Sequence, residues 1–151
     1  MIKAGIIGAT GYAGAELARL LLQRDDVELV WYGSRSYVGE DFASIYRNVA
    51  HAVSEPCKDD DMAKLAEMAD VIFTATPQGF CASQVTEDIL SKTKIIDLSA
   101  DFRIKDVDVY EKWYKIKHAT PQFIGEAVYG LPEINREKIK HARLIANPGC
   151  Y

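Results

Sequence analysis

A glycine-rich segment directly follows the first apolar run of the chain. The stretch Ile6-Ile7-Gly8-Ala9-Thr10-Gly11-Tyr12-Ala13-Gly14 predicts a strand, a tight turn and an amphipathic helix with nothing between them. Gly8 permits the turn, Gly11 lets backbone amides approach an anion, and Gly14 brings the helix against the sheet. A turn needed only for packing is the alternative, but the position after the first strand favours a dinucleotide pyrophosphate at the helix N-terminus. The predicted cofactor contacts are Gly8, Thr10, Gly11, Tyr12, Ala13 and Gly14.

Apolar, β-rich runs alternate with helical patterns along the chain. The strand candidates are residues 2–8, 27–33, 71–75, 94–98 and 143–146, and the helix candidates are 13–24, 59–68, 80–90 and 107–117. The first helix places Leu17, Leu20 and Leu21 on one stripe, and the acids from Asp59 onward suit the start of the second. Unbroken apolar strands favour a parallel sheet that is covered on both faces. We therefore predict an α/β fold with a doubly wound, mostly parallel sheet of the Rossmann type.

Composition limits the class of protein. With 151 residues, 48% of them hydrophobic, the chain suits one domain, and a net charge of -4 without a dense basic patch excludes nucleic acid as the expected partner. The first apolar run is too short for a signal peptide or a membrane span, so we expect a cytoplasmic protein with no membrane partner. Three unpaired cysteines and three scattered histidines indicate neither a disulfide framework nor a metal site.

The end of the second strand predicts which dinucleotide binds. Sites for NAD commonly carry an acid there, about 20 residues beyond the glycines, to hold the ribose hydroxyls. This chain instead has Ser34-Arg35-Ser36. A guanidinium between two hydroxyls can pair with the 2′-phosphate of the adenosine. A solvated loop is the alternative, and the position just after strand two favours NADPH as the cofactor.

The last apolar strand ends on a turn that carries a cysteine. Asn147-Pro148-Gly149 follows the strand and leads to Cys150. At the carboxyl edge of the sheet, at the start of a following helix, a thiol is stabilised as thiolate and suits a nucleophile. A lone cysteine is otherwise more often a small buried side chain. Since a fold of this type would normally continue into a helix and the sequence stops one residue later, we expect residues 1–151 to be one truncated NADP-binding domain.

Five blocks together resemble the N-acetyl-gamma-glutamyl-phosphate reductases, which belong to the aspartate-semialdehyde dehydrogenase superfamily. They are residues 8–14, 34–36, 97–103 (Asp-Leu-Ser-Ala-Asp-Phe-Arg), 129–133 (Tyr-Gly-Leu-Pro-Glu) and 147–151, in the order of that family, and they span about the first half of a family member. The resemblance implies that Cys150 is the nucleophile and that blocks three and four border the substrate pocket. A departure is Gln78, where many relatives have histidine, in the Pro77-Gln78-Gly79 segment on the nicotinamide side.

The substrate contacts that follow are Ser99, Arg103, Tyr129, Glu133 and Asn147, with Pro77 as a further cofactor contact. Ser99 and Arg103 come after a strand, where a hydroxyl and a guanidinium could receive a phosphate or carboxylate. An ion pair of Arg103 with Asp97 or Asp101 is the structural alternative. Gly130 and Pro132 predict a rigid turn that presents Tyr129 and Glu133.

The resemblance also implies an activity. It is the NADPH-dependent reduction of N-acetyl-gamma-glutamyl phosphate to the semialdehyde in arginine biosynthesis. The Cys150 thiolate would displace phosphate to form a thioester, and NADPH would reduce that thioester. The resemblance also implies a substrate and dimerisation domain beyond residues 1–151, a homo-oligomer at full length and an acid-base histidine beyond Tyr151. This chain alone should therefore not turn over. Aspartate-semialdehyde dehydrogenase, a reductase of the one-carbon-longer N-acetyl-aminoadipyl phosphate, and a non-catalytic NADP-binding regulatory domain stay open as alternatives.

Overall fold

The structure of the chain is a computed structural model that describes residues 1–149. Cys150 and Tyr151, and with them the predicted nucleophile, lie outside the described residues. The chain divides into two compact units, of which the first is Met1–Ala75 and the second begins at Thr76. Within residues 1–149 each unit contains three parallel strands, and the apolar runs predicted five of these six.

The first unit is built around its central strand β1. The strands are β1 (Ile2–Ile7), β2 (Val27–Tyr32) and β3 (Val71–Thr74), in the order β2-β1-β3. The helices are α1 (Tyr12–Leu21), α2 (Phe42–Ile45) and α3 (Met62–Ala66), with a 3-10 turn at Arg47–Val49. The core of this unit holds the buried residues Ile6, Ala9, Ala18, Tyr32, Phe42, Val49, Val53 and Cys57.

Helix α1 packs on this core through small residues. Gly14 and Ala18 are its buried positions, and the partly buried Leu17 and Leu21 also pack against the core. Leu20, which the sequence pattern placed on the same stripe, is 48% exposed. Because small side chains form the contact, the backbone of α1 lies close to the turn that follows β1.

The second unit repeats the parallel arrangement. Its strands are β4 (Lys94–Asp97), β5 (Val128–Tyr129) and β6 (Leu144–Ala146), in the order β4-β6-β5. Its helices are α4 (Phe80–Gln84), α5 (Glu87–Lys92), α6 (Val107–Tyr114) and α7 (Pro132–His141), with a 3-10 turn at Pro121–Phe123. None of the helices within residues 1–149 is long and apolar enough to cross a membrane.

One helix prediction for this unit was wrong, and β5 and α7 were not predicted. The single helix expected over residues 80–90 is two helices, because Val85 is extended and the Thr86 hydroxyl caps α5 by accepting a bond from Ile89 N at 3.2 Å. The turn expected over residues 129–133 contains the end of β5 at Tyr129 and the start of α7 at Pro132. Proline at the first position of a helix costs no hydrogen bond, which explains why a helix can begin there.

A fully buried carboxylate holds the start of α4. Asp101 is fully buried and accepts hydrogen bonds from Gly79 N at 2.7 Å, Ala82 N at 2.9 Å and the Tyr110 hydroxyl at 2.8 Å. The Asp101 carbonyl lies 2.6 Å from Nε2 of the buried His118, whose ring packs edge-on against Tyr110. Burial, together with the bond to Asp101, raises the pKa of Tyr110 well above its usual range. Asp101 therefore joins the Pro77–Gly79 segment to α6.

We expect Asp101→Ala to lower the free energy of unfolding by about 2–4 kcal/mol, because three donors would lose their acceptor inside the protein. Urea denaturation followed by circular dichroism measures this change. Asp25→Ala, which removes an exposed carboxylate in the turn after α1, is the matched control and should cost less than about 0.5 kcal/mol. Equal effects of the two substitutions would contradict the assigned role of Asp101.

Candidate functional site

The glycine turn after β1 is tied to the end of β2. Gly8 has a φ of 77°, a left-handed conformation that glycine adopts without strain, and its carbonyl accepts a bond from Gly11 N at 3.1 Å. Ala9 N donates to the Gly33 carbonyl at 2.7 Å, and Gly33 N donates to the Ile6 carbonyl at 2.7 Å. The turn and the β2 terminus therefore form one hydrogen-bonded edge.

The glycines at 11 and 14 differ in what they do for the fold. A Cβ on Gly14 would lie 2.2 Å from the Gly8 carbonyl oxygen and 2.8 Å from Ala9 Cα, so only glycine fits between the helix and the turn. A Cβ on Gly11 would lie 3.5 Å from the same oxygen, which is an ordinary contact. Packing thus accounts for Gly14 as predicted, whereas the position of Gly11 has room for a side chain.

The N-terminus of α1 is suited to an anion. Gly11 occupies the cap position and has no side chain to accept a bond there, and the first turn contains no acidic residue. Ala13 is exposed and Tyr12 is 94% exposed. The first backbone N–H groups of a helix have no partner within the helix, and they carry the positive end of its dipole. A pyrophosphate fits this helix terminus.

The hydroxyls and the guanidinium that follow β2 have different environments. Ser34 is buried, and its hydroxyl lies 2.8 Å from Oγ1 of Thr10 and accepts a bond from Tyr37 N at 3.2 Å. Ser34 and Thr10 therefore link the glycine turn to the β2 terminus. Arg35 and Ser36 are exposed, so their side chains are accessible to a ligand.

Asp60, to which the sequence analysis assigned no part in the nucleotide site, lies at the same edge. Its Oδ1 accepts a bond from Gly8 N at 3.1 Å, and its Oδ2 lies 3.6 Å from Nε of Arg35. Burial raises the pKa of Asp60, while the Gly8 N–H and the Arg35 guanidinium oppose that shift. Residues 59–61 are all aspartate, at the start of the predicted helix over 59–68. Of the three, Asp61 is the one that caps α3, by accepting a bond from Lys64 N at 3.0 Å. Nothing in the sequence separates Asp60 from its two neighbours.

In the second unit, Ser99 closes a buried turn after β4. Its hydroxyl donates to Asp97 Oδ2 at 2.7 Å and accepts from Asp101 N at 3.2 Å. Its backbone N–H donates to Asp97 Oδ1 at 2.9 Å, and the residue is buried. The Ser99 side chain thus stabilises the backbone of the segment that contains Arg103.

Arg103 binds the turn that precedes the predicted nucleophile. Its Nε donates to the Asn147 carbonyl at 2.7 Å, and its Nη2 donates to the Leu98 carbonyl at 2.6 Å. A Cβ on Gly149 would lie 2.8 Å from Nη1 of Arg103, so the absence of a side chain there lets the guanidinium approach the turn. The structure therefore brings two predicted substrate residues, Arg103 and Asn147, together at the carboxyl end of β6.

The remaining predicted residues of this unit are more exposed. Tyr129 pairs in register with Ala146 at the end of β6, and its ring is partly exposed. Glu133 is exposed in the first turn of α7, and Pro77 is exposed just before α4. Asn147 is half-buried, and its amide donates to the Pro148 carbonyl at 3.2 Å.

The other two cysteines are buried, as small apolar side chains would be. Cys57 lies in the core of the first unit, where burial raises the pKa of its thiol, and Cys81 is buried on α4. The surroundings of Cys57 therefore disfavour a thiolate. In the part of the chain that the structure describes, no three His, Cys, Asp or Glu side chains are grouped so that they could hold a metal ion.

Comparison with known proteins finds close relatives over the whole chain. The chain is 66% identical over 151 residues to an N-acetyl-gamma-glutamyl-phosphate reductase of Lachnoclostridium phytofermentans and 66% identical over 152 residues to one of Lachnospira eligens. One of Heliobacterium modesticaldum is 48% identical over 151 residues. Each match covers 100% of this chain, and the chain spans 44%, 44% and 43% of the respective relative's length.

Solved structures and a family model agree on the fold. An aspartate semialdehyde dehydrogenase with NADP from Candida albicans matches 97% of this chain and 42% of its own with a TM-score of 0.61 at 15% identity. One from Francisella tularensis matches 97% of this chain and 36% of its own with the same TM-score of 0.61 at 14% identity. The likeness confirms the predicted Rossmann-type α/β fold. Residues 3–142 match the family model described as "Semialdehyde dehydrogenase, NAD binding domain", so the chain belongs to the family of semialdehyde dehydrogenase NAD-binding domains.

Proposed function

We propose that this chain is the NADPH-binding part of an N-acetyl-gamma-glutamyl-phosphate reductase, a cytoplasmic enzyme that acts as a homo-oligomer at full length. The observation that carries the proposal is the packing of Gly14 against Gly8, which places the start of α1, with no side chain capping it, next to the β2 terminus with Arg35. The names of the relatives supply the reaction, because the fold alone serves many chemistries.

The first unit would bind the adenosine half of the cofactor. The N–H groups at the start of α1 would hold the pyrophosphate, and the exposed side chains of Arg35 and Ser36 would bind the 2′-phosphate. The hydrogen bond between the Thr10 and Ser34 hydroxyls supports this arrangement, because it joins the glycine turn to the end of β2. When bound, NADPH supplies the hydride that reduces the substrate.

The second unit would prepare the acyl group for reduction. The Cys150 thiolate would attack the acyl carbon of the acyl phosphate, the bond from that carbon to the phosphate oxygen would break, and phosphate would leave with both electrons of that bond. The product is a thioester. Arg103 would contribute by fixing the turn at residues 147–149, through its bond to the Asn147 carbonyl. The substrate would be bordered by Tyr129, Glu133 and Asn147. The buried Ser99 hydroxyl would stabilise the 97–103 segment through its bond to Asp97.

The acid-base group of the reaction would come from the part of the full-length protein outside this chain. His118 does not serve, since it is buried and its Nε2 is occupied by the Asp101 carbonyl. The chain alone should therefore bind the dinucleotide without turnover.

Replacing the nucleophile should separate chemistry from binding. We expect Cys150→Ser in the full-length protein to reduce the phosphate-dependent oxidation of N-acetylglutamate semialdehyde by NADP by at least about 10³-fold, because covalent catalysis is lost. NADPH binding should stay within about twofold, as measured by its fluorescence. Cys57→Ser is the matched control and should retain activity. Full activity of Cys150→Ser would refute the thioester route, and faster oxidation of aspartate semialdehyde by the parent protein would refute the substrate.

Arg35→Ala should remove most of the preference for NADPH over NADH. A charge-assisted bond to the 2′-phosphate is worth roughly a factor of ten or more in binding. The dissociation constants of NADPH and NADH, measured by calorimetry for the parent and the variant, give this ratio. Arg24→Ala, which removes an arginine paired with Asp26 on an exposed turn, should leave the ratio unchanged. The assignment fails when the parent binds both nucleotides equally well.

Two alanine substitutions in the glycine turn should have opposite signatures. Gly14→Ala forces a Cβ into the Gly8 carbonyl, and we expect it to lower the free energy of unfolding by about 1–3 kcal/mol. Gly11→Ala has room in the protein and should cost at most about 1 kcal/mol, but its methyl group would stand where the pyrophosphate approaches and should weaken NADPH binding about tenfold. Denaturation and calorimetry on both variants test the contrast, and unchanged NADPH binding in Gly11→Ala would contradict it.

A further inference from the structure

The carboxylate of Asp60 lies between the glycine turn and Arg35. One oxygen is held by Gly8 N at 3.1 Å, and the other is 3.6 Å from Arg35 Nε. The Asp60 side chain is only 9% exposed, whereas that of Arg35 is 65% exposed. The anion is thus fixed in the protein, while the cation extends from it into solvent.

Backbone pairing sets the position of Asp60. Lys58 forms a parallel bridge with Gly33, in which Lys58 N donates to the Tyr32 carbonyl at 2.9 Å and Ser34 N donates to the Lys58 carbonyl at 2.8 Å. Trp31 Nε1 donates to the Asp59 carbonyl at 2.8 Å and fixes the next residue. The segment before α3 therefore runs beside the end of β2 and places Asp60 there.

Gly33 leaves the space that Asp60 occupies. A Cβ on Gly33 would lie 2.7 Å from Asp60 Oδ1 and 2.8 Å from the Ile6 carbonyl oxygen. Any other residue at position 33 would displace the carboxylate from Gly8. The end of β2, which carries no acid of its own, thus receives one from a segment about 25 residues further along the chain.

A carboxylate at the β2 terminus has a known chemical use. In dinucleotide sites it accepts hydrogen bonds from the ribose hydroxyls, and a nearby arginine is what accommodates a 2′-phosphate. Here the two charges stand side by side. A ribose hydroxyl can donate a hydrogen bond to the carboxylate. A 2′-phosphate is attracted by the guanidinium but repelled by the carboxylate. Since a guanidinium carries five N–H donors, its contact with Asp60 through Nε is compatible with donation to a phosphate.

We propose, resting on the dinucleotide function above, that Asp60 binds the adenosine ribose hydroxyls and opposes Arg35, so that the pair sets how strongly the site prefers a 2′-phosphorylated nucleotide. Asp60 favours the nucleotide with a free 2′-hydroxyl, and Arg35 favours the phosphorylated one. The selectivity of the site is therefore a balance of two adjacent charges, and each can be changed without the other.

The test uses two adenosine fragments, 2′,5′-ADP and 5′-AMP, with calorimetry on the full-length protein. These fragments need neither the nicotinamide nor Cys150, so the result is independent of the proposed reaction. We expect Asp60→Asn to weaken the binding of 5′-AMP about fivefold, because a charged hydrogen-bond acceptor is lost. The same substitution should tighten the binding of 2′,5′-ADP about twofold to fivefold, because the repulsion between carboxylate and phosphate is removed. The ratio of the two dissociation constants should therefore rise about tenfold or more.

Asp59→Asn is the matched control, because Asp59 is the preceding residue and its carboxylate is exposed. This substitution removes the same charge and should leave the ratio of the two dissociation constants within about twofold of the parent value. Asp60→Ser is the second variant in case Asn does not fold, and it should shift the ratio in the same direction. Thermal unfolding of each variant reports its folding.

Two outcomes would overturn the proposal. If Asp60→Asn weakened the binding of both fragments equally, Asp60 would only support the glycine turn. If it weakened the binding of 2′,5′-ADP more than that of 5′-AMP, Asp60 would only orient Arg35. A parent protein that does not prefer 2′,5′-ADP over 5′-AMP would refute the proposed NADPH specificity instead, and the effect of Asp60→Asn on 5′-AMP would still decide the role of Asp60.

Discussion

The close approach of α1 to the turn after β1 is the constraint on which the nucleotide site depends. The Gly8 carbonyl and Ala9 Cα occupy the space that a side chain at position 14 would need. This contact sets where the first N–H groups of the helix point, and the bonds between the turn and Gly33 fix the β2 terminus beside them. Arg35, two residues beyond Gly33, follows directly from this edge.

In the second unit, the Asp-Leu-Ser-Ala-Asp-Phe-Arg segment acts mainly as a support. The Asp101 carboxylate holds the start of α4, the Ser99 hydroxyl stabilises the segment itself, and Arg103 holds the backbone at Asn147. Buried carboxylates and hydroxyls are stable only when they are fully bonded. The polar residues of one short segment thereby fix two loops at the carboxyl edge, one before α4 and one after β6.

Local patterns predicted much of this fold because they report local physics. The order of strands and helices in 2–33 and 71–98 follows from apolar runs and from glycines at tight turns. Weak local signals were missed: the Thr86 hydroxyl caps α5 and so marks the break at Val85, and α7 has little apolar periodicity from which to predict it. The expected stripe on α1 included Leu20, but the small residues Gly14 and Ala18 form the contact.

The sequence by itself determined the class of fold, the glycine turn, the arginine that follows β2, and the residue types of the five blocks, since each of these is encoded by neighbours along the chain. Tertiary structure decided which polar groups meet. Asp60 reaches Gly8 across 52 residues, and Arg103 reaches the Asn147 carbonyl across 44. Such pairings arise from strand order and packing, so no local pattern distinguishes a carboxylate that enters the site from an adjacent one that only caps a helix.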